Sequence, residues 1–266
     1  MTVHFVGAGP GAADLITVRG RDLLAAADVV IHAGSLVNPD LVDSVRSGCQ
    51  VYDSARMTLD EILAVVVESE GRKWTTVRLH SGDPSLYGAI REQMRALDRL
   101  GIEYDVCPGV SSFSAAAATL RIEYTVPEVT QSLILTRMPG RTPMPQGEMV
   151  SGFAEHGSSM VIFLSTGLLD GLVEQLIVGG RRREDPAAIV YKVSWPDEQV
   201  LSCTIGTLPA AAHEHGITST ALIIVGPCLE EHATRSRLYS ADFSTGLRPV
   251  PEASGASWDD RTGGCS

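Results

Sequence analysis

The sequence predicts an α/β protein in two halves, each a mostly parallel or mixed sheet flanked by helices. Three observations carry that prediction. Short apolar runs without period-2 alternation recur along the chain, as strands covered on both faces require. Helical periodicities separate these runs, and strand alternating with helix is the order that builds parallel sheets. Loops rich in glycine and serine follow several of the strands.

In chain order, "VHFVGAG" (3–9) is the first strand and runs straight into Gly9, Pro10 and Gly11. "ITVRGRDLLAAA" then predicts a helix, "DVVIHA" (28–33) a strand and "TLDEILAVVVESE" another helix. The strands "TTVRLHSG" (75–82) and "EYDVCPG" (103–109) bracket the helical "LYGAIREQMRALDRLG", where Gly101 suits the left-handed position after a helix end. "SSFSAAAATL" closes the first half near residue 120. The second half restarts at "SLILTR" (132–137), and the Pro- and Gly-dense segment 138–155 reads as a loop. Strands follow at "SMVIFLS" (159–165), "PAAIVYKV" (186–193), "VLSCTIGTL" (200–208) and "ALIIVG" (221–226). Between them lie the helices "LLDGLVEQLIVGG" and "LPAAAHEHG". Domains are expected over 1–120 and 121–240, and the aperiodic stretch 241–266 is expected to be disordered.

Composition narrows the function. The chain has 266 residues, 44% of them hydrophobic, and no uninterrupted apolar stretch long enough for a membrane helix. It opens on a strand pattern with no basic leader, so a cytoplasmic setting is expected. A net charge of −11 disfavours nucleic acid and anionic membranes, and the basic run Arg181, Arg182, Arg183 is followed at once by Glu184 and Asp185. Five scattered cysteines with no C-x-x-C argue against a zinc site or a disulfide framework. Among the histidines, His213 and His215 stand at i, i+2 and so on different helix faces, and no metal site is expected.

Three loops are candidates for chemistry. "GAGPG" has the place of a phosphate-binding turn, but it is not G-x-G-x-x-G, Pro10 removes an amide donor, and no P-loop lysine follows. A tight structural turn is the competing reading. In "VRLHSGDPSLYG" (77–88), Asp83 is placed either to accept hydrogen bonds from ligand hydroxyls or to cap a helix starting near Ser85. In "CPGVSSFSAA", Ser111 and Ser112 open a small-residue helix, as ligand contacts or as caps. His80 reads as a packed strand residue rather than a base.

Taken together, "VGAGPGAADLIT", "AADVVIHAGSLV", "VRLHSGDPSLYG", "CPGVSSFSAAAA" and "ALIIVG" resemble the tetrapyrrole methylases over about residues 3–240. "AGSLV" (33–37) and "TQSLILTRMPGRTPMP" (130–145) are similar to one branch of that family and separate it from neighbouring methyltransferases of the same pathway. The resemblance implies two α/β domains (the class III methyltransferase fold) with S-adenosyl-L-methionine folded into the cleft between them, and a homodimer. It implies that Pro10, Ser81, Gly82, Asp83 and Leu86 line one side of that cofactor, with Ser111 and Ser112. Leu164, Val193 and Ala221 would come from the second domain. Ser81 stands where the family motif has glycine, and Leu164 where relatives often have methionine.

The implied reaction moves a methyl group from a sulfonium to a nucleophilic ring carbon of a reduced tetrapyrrole. Positioning is expected to dominate it, with no certain catalytic side chain. Arg137 and Arg141 are candidates for the substrate's carboxylates, alongside Tyr87 and Lys192. The competing class is a nonenzymatic nucleotide- or tetrapyrrole-binding protein. Against its dinucleotide form, Ala33, Gly34 and Ser35 occupy the strand tip where a ribose-binding acidic residue would stand.

Overall fold

The computed structural model of the chain describes residues 2–231 and, beyond them, 240, 243, 244, 247 and 248. Its first sheet joins β1 (Thr2–Gly7), β2 (Val29–His32), β3 (Gln50–Asp53), β4 (Thr76–His80) and β5 (Glu103–Cys107). The order is β3-β2-β4-β1-β5 and every pair is parallel. Crossovers through α1 (Val18–Ala26), α2 (Pro39–Asp43), α3 (Leu59–Gly71) and α4 (Ile90–Leu100) make that direction possible. On one face Val6, Val30, Val77 and Leu79 pack with Leu24 of α1 and Leu41 of α2. On the other, Phe5, Val29 and Ile31 meet Ile62 and Val66 of α3 and Leu97 of α4. Both faces are covered, which is why the strands read as continuous apolar runs.

The second sheet contains β6 (Leu133–Arg137), β7 (Ser159–Phe163), β8 (Pro186–Tyr191), β9 (Gln199–Thr204) and β10 (Ala221–Val225), ordered β6-β7-β10-β8-β9. Only β6 and β7 pair in parallel; the other three pairings are antiparallel. This sheet is therefore mixed. The link 192–198 between β8 and β9 is too short for a crossover, so those strands must turn back on each other. Helix α5 (Ser112–Leu120) covers one face, with Ala115 and Ala116 against Val161, Val190 and Ile224. Although the sequence groups α5 with the first half, its methyl-sized face lets it lie close on the second sheet. The other face carries α6 (Val150–Ala154), α7 (Leu169–Val178) and α8 (Leu208–Glu214), whose Val150, Leu172, Leu176 and Leu208 surround Met160 and Ile223.

Four elements depart from the sequence reading, the first being the short helix α2 (Pro39–Asp43), which no periodicity announces. The edge strand β3, "QVYD", has no apolar run to announce it, and its side chains are half-buried or exposed. Helix α6 forms inside the expected loop 138–155. Helix α4 begins at Ile90 rather than near Leu86, because Tyr87 (φ 57°) and Ala89 (φ 50°) are left-handed and cannot join a right-handed helix. The tail expected to be disordered, 241–266, lies outside the described residues except at 243, 244, 247 and 248.

Candidate active site

The ends of β1, β4 and β5 meet backbone against backbone. A Cβ on Gly109 would lie 2.2 Å from the Gly82 carbonyl oxygen and 2.7 Å from the Gly7 Cα, so only glycine fits there. Gly9 and Gly82 form a two-residue bridge: the Gly82 N–H donates to the Gly9 carbonyl at 2.8 Å and the Gly9 N–H returns the bond at 3.3 Å. Asp83 ties the corner to the next loop. One carboxylate oxygen accepts the Gly109 N–H at 2.8 Å, and the other accepts the Ser85 N–H at 2.9 Å and the Ser85 hydroxyl. No α-helix starts at Ser85, so Asp83 closes a turn rather than capping a helix.

The "GAGPG" turn is a packing corner as well. A Cβ on Gly11 would fall 2.2 Å from the Trp195 ring, which reaches it from the loop after β8. The Ala12 N–H donates to Ser194 Oγ at 2.9 Å, and Asn38 Nδ2 donates to the Gly11 carbonyl at 2.8 Å. With Pro10 lacking an N–H and the Ala12 donor engaged, the turn does not present the row of free amides that a phosphate needs.

Between these first-sheet loops and those of the second sheet lies a cavity of about 560 Å³, within the range of small-molecule and cofactor sites. Pro10, Ser81, Gly82, Asp83 and Leu86 line it from the first sheet, and Ser111 and Ser112 from the start of α5. Ser111 is the N-cap residue of α5, but its side chain makes no capping hydrogen bond. From the second sheet come Leu164, Val193 and Ala221. Tyr87 and Lys192 also line the cavity, and the Tyr87 ring packs on Phe163 across it, with centroids 5.3 Å apart. Arg137 and Arg141 are not among the lining residues. Arg137 spends its guanidinium on the carbonyls of Met138, Thr142 and Pro143 in its own loop.

Backbone strain gathers here. Among the described residues, six of the nine non-glycine residues with positive φ are Tyr87, Ala89, Leu164, Lys192, Ser194 and Thr220, all on turns bordering the cavity. Such conformations persist where surrounding structure over-determines them, and functional sites are the usual place.

The electrostatics leave little free acid or base. Burial would raise the Asp83 pKa, but the hydrogen bonds from Ser85 and Gly109 outweigh it and hold the carboxyl below its ordinary value. Lys192 pairs with Asp197 at 2.5 Å, and that hydrogen bond raises its pKa. Burial, with Arg78 adding to it, pulls His80 down to about 3, so the imidazole is neutral at physiological pH. An unfolded histidine titrates near 6.5. Between about pH 6.5 and about 3 the unfolded chain therefore binds a proton that the native chain does not. Stability rises with pH through this window and is lost on acidification, by up to about 1.4 kcal/mol per pH unit. Thermal midpoints measured from pH 7 to pH 4 should fall less steeply for His80→Gln than for wild type. Equal slopes would show that His80 is not held neutral by the fold.

The tetrapyrrole (corrin/porphyrin) methylase family matches residues 2–209, a span that contains both sheets except β10. The chain is a tetrapyrrole methylase. It is 46% identical over 242 residues to the cobalt-precorrin-4 C(11)-methyltransferase of Methanocaldococcus jannaschii, covering 91% of this chain and 93% of that one. It is 48% identical over 252 residues to the precorrin-4 C(11)-methyltransferase of a Sinorhizobium species, covering 93% and 98%. The X-ray structure of a cobalt precorrin-4 methyltransferase superposes with a TM-score of 0.85 at 40% identity, covering 86% of this methylase and 96% of that chain.

Sequence reasoning missed several residues of the methylase cleft. Trp195 stands in a link with no motif, and only contact with Gly11 reveals it. Phe163 is indistinguishable from a core residue of β7. Arg78 did leave a signal, a charge inside a strand whose other residues read as fully buried.

Proposed function

We propose that this methylase transfers the methyl group of S-adenosyl-L-methionine to C11 of precorrin-4, giving precorrin-5 in corrin-ring biosynthesis. The observation that carries the proposal is the similarity to C11-methyltransferases, 46–48% identity over more than nine-tenths of the chain. Relatives named for the cobalt and the cobalt-free substrate match about equally, at 46% and 48% identity, so the macrocycle with or without cobalt fits the proposal.

The lining suits the cofactor: small residues at Gly82, Ser111 and Ser112 leave room on one side, and apolar Leu164, Val193 and Ala221 close the other. When bound, S-adenosyl-L-methionine supplies an electrophilic methyl group on a cationic sulfur, a good leaving group that calls for no metal held by the protein. The chain's contribution is position. Tyr87 and Phe163 narrow the cleft from opposite sides, and the Gly7, Gly82, Gly109 corner gives the cofactor loops a rigid floor. Holding two reactants in a productive pose removes most of the entropic barrier to their reaction. With Asp83 engaged in hydrogen bonds and His80 too weak a base near neutral pH, these two side chains leave proton removal to solvent or substrate. Tyr87 and Lys192 are assigned to the substrate side of the cleft. Arg137 and Arg141 are assigned to the loop beside it, close enough that the Arg137 charge acts on the Tyr87 hydroxyl. A homodimer, a cytoplasmic setting and two domains belong to the same proposal, with α5 packed on the second domain's sheet.

Purified protein incubated with methyl-labelled cofactor and each pathway intermediate in turn tests it. Label is expected to transfer to precorrin-4 alone, appearing in precorrin-5. Transfer to uroporphyrinogen III or precorrin-2 instead would assign the chain to a neighbouring step.

A further inference from the structure

The wall of the cleft formed by β4 contains a charge that no carboxylate among the described residues neutralises. Thr76, Arg78 and His80 alternate onto the face of the strand that packs toward α3 and α4, among Phe5, Ile31 and Leu97. Thr76 is satisfied there, donating to Ser69 Oγ at 2.7 Å. Arg78 is 7% exposed and lines the cavity. Its Nε donates to Gln93 Oε1 at 3.1 Å and its Nη1 to the Ile31 carbonyl at 3.0 Å, both neutral acceptors. Gln93 in turn donates to the Ala89 carbonyl at 3.3 Å, which links the guanidinium to the strained turn beneath Tyr87. None of the ion pairs among the described residues involves Arg78. Beside it His80, 4% exposed and also on the cavity wall, has a buried Nε2 with no hydrogen-bond partner.

A buried cation without a counter-ion is costly to fold, and a neutral residue of similar size would be cheaper. The arrangement makes sense if the missing partner is a ligand. Among the described cavity-lining residues the other cation, Lys192, is paired with Asp197, and the carboxylate, Asp83, is engaged by Ser85 and Gly109. An anionic group entering the cleft therefore finds Arg78 available. We propose that Arg78, with His80 beside it, forms an interior carboxylate subsite that takes one ionised side arm of the tetrapyrrole. This rests on the functional reading above. The charge balance favours the substrate over the cofactor as the source: a sulfonium donor is cationic overall and gains least from a nearby guanidinium, whereas a tetrapyrrole with several carboxylates gains most. Because the pair would be buried, added salt should weaken it little.

The test uses the full chain and uroporphyrin III, a stable carboxylated tetrapyrrole, followed by quenching of tryptophan fluorescence with Trp195 on the cavity wall as reporter. S-adenosylhomocysteine affinity is measured in parallel by calorimetry, and thermal melts establish that each variant is folded. Arg78→Gln is expected to weaken uroporphyrin III binding by about tenfold or more, the size of a charge-assisted hydrogen bond. Arg78→Lys, which keeps the charge but loses the fork, should recover part of it and guards against a variant that fails to fold. Affinity for S-adenosylhomocysteine should not change. If both variants bind uroporphyrin III as wild type does, the subsite is wrong while the functional reading stands. Loss of S-adenosylhomocysteine affinity with uroporphyrin III retained would overturn it too, giving Arg78 to the cofactor's own carboxylate. Wild-type protein that bound neither molecule would bring down the functional reading and the subsite together.

Discussion

Gly109→Ala is expected to lower stability by about 3 kcal/mol or more and to abolish measurable binding of S-adenosylhomocysteine. The new Cβ would lie 2.2 Å from the Gly82 oxygen and 2.7 Å from the Gly7 Cα, and both are backbone atoms that cannot swing aside. Relief must come from separating the ends of β1, β4 and β5, the strands whose loops floor the cleft. For a chain of this size the thermal midpoint should drop by roughly 10 °C. Gly101→Ala is the control. Its φ of +68° makes alanine strained, but a Cβ there meets nothing within 4 Å, so the cost should stay near 1 kcal/mol with ligand affinity unchanged. Calorimetry of both variants decides the matter; if Gly109→Ala melts and binds as Gly101→Ala does, the corner is softer than its packing implies.

The second large effect is expected at Asp83, and on affinity more than on stability. Asp83→Ala removes the acceptor of the Gly109 N–H and both acceptor contacts to Ser85, which unties the loop after β4 from the loop after β5. Both loops contribute lining residues, so S-adenosylhomocysteine binding should weaken by about tenfold to a hundredfold. Asp83→Asn should fall between, because an amide has only one acceptor oxygen for donors on two sides. The pH dependence has a definite sign. The Asp83 pKa is lowered, so its contribution is present above the ordinary unfolded value and is lost as pH falls through the lower, folded one. Cofactor affinity that is the same in Asp83→Ala as in wild type would show that the clasp is dispensable.

Much of the fold was legible in the residues because burial on both faces writes itself into a strand. "VHFVG", "VVIH" and "MVIF" are apolar but for His4 and His32, and the helices between them carry their own stops, with Gly101 and Gly216 in the left-handed conformation at φ +68° and +66°. Where burial is partial, that signal fails. β3 passed unnoticed because "QVYD" is an edge strand, and the sequence left the second sheet open as mostly parallel or mixed, its antiparallel pairings appearing only in the structure. Of the cavity's lining, the sequence named the residues in motif-bearing loops at strand ends, together with Leu164, Val193 and Ala221 through the family resemblance. Arg78 and Trp195 were not, since one looked like an oddity in a strand and the other had no local pattern at all.

What the sequence determined by itself was which segments would be buried and which would turn, because side-chain hydrophobicity and the conformational range of glycine and proline are properties of single residues. Only the tertiary structure decided what those turns are for. Gly11 lies under Trp195, some 180 positions away in the chain, Asp83 spends its carboxylate on Gly109 rather than on a helix end, and Arg78 is left charged and unpaired in the cleft wall. Each of these depends on distances between atoms far apart along the chain, and such distances exist only after the two sheets have packed.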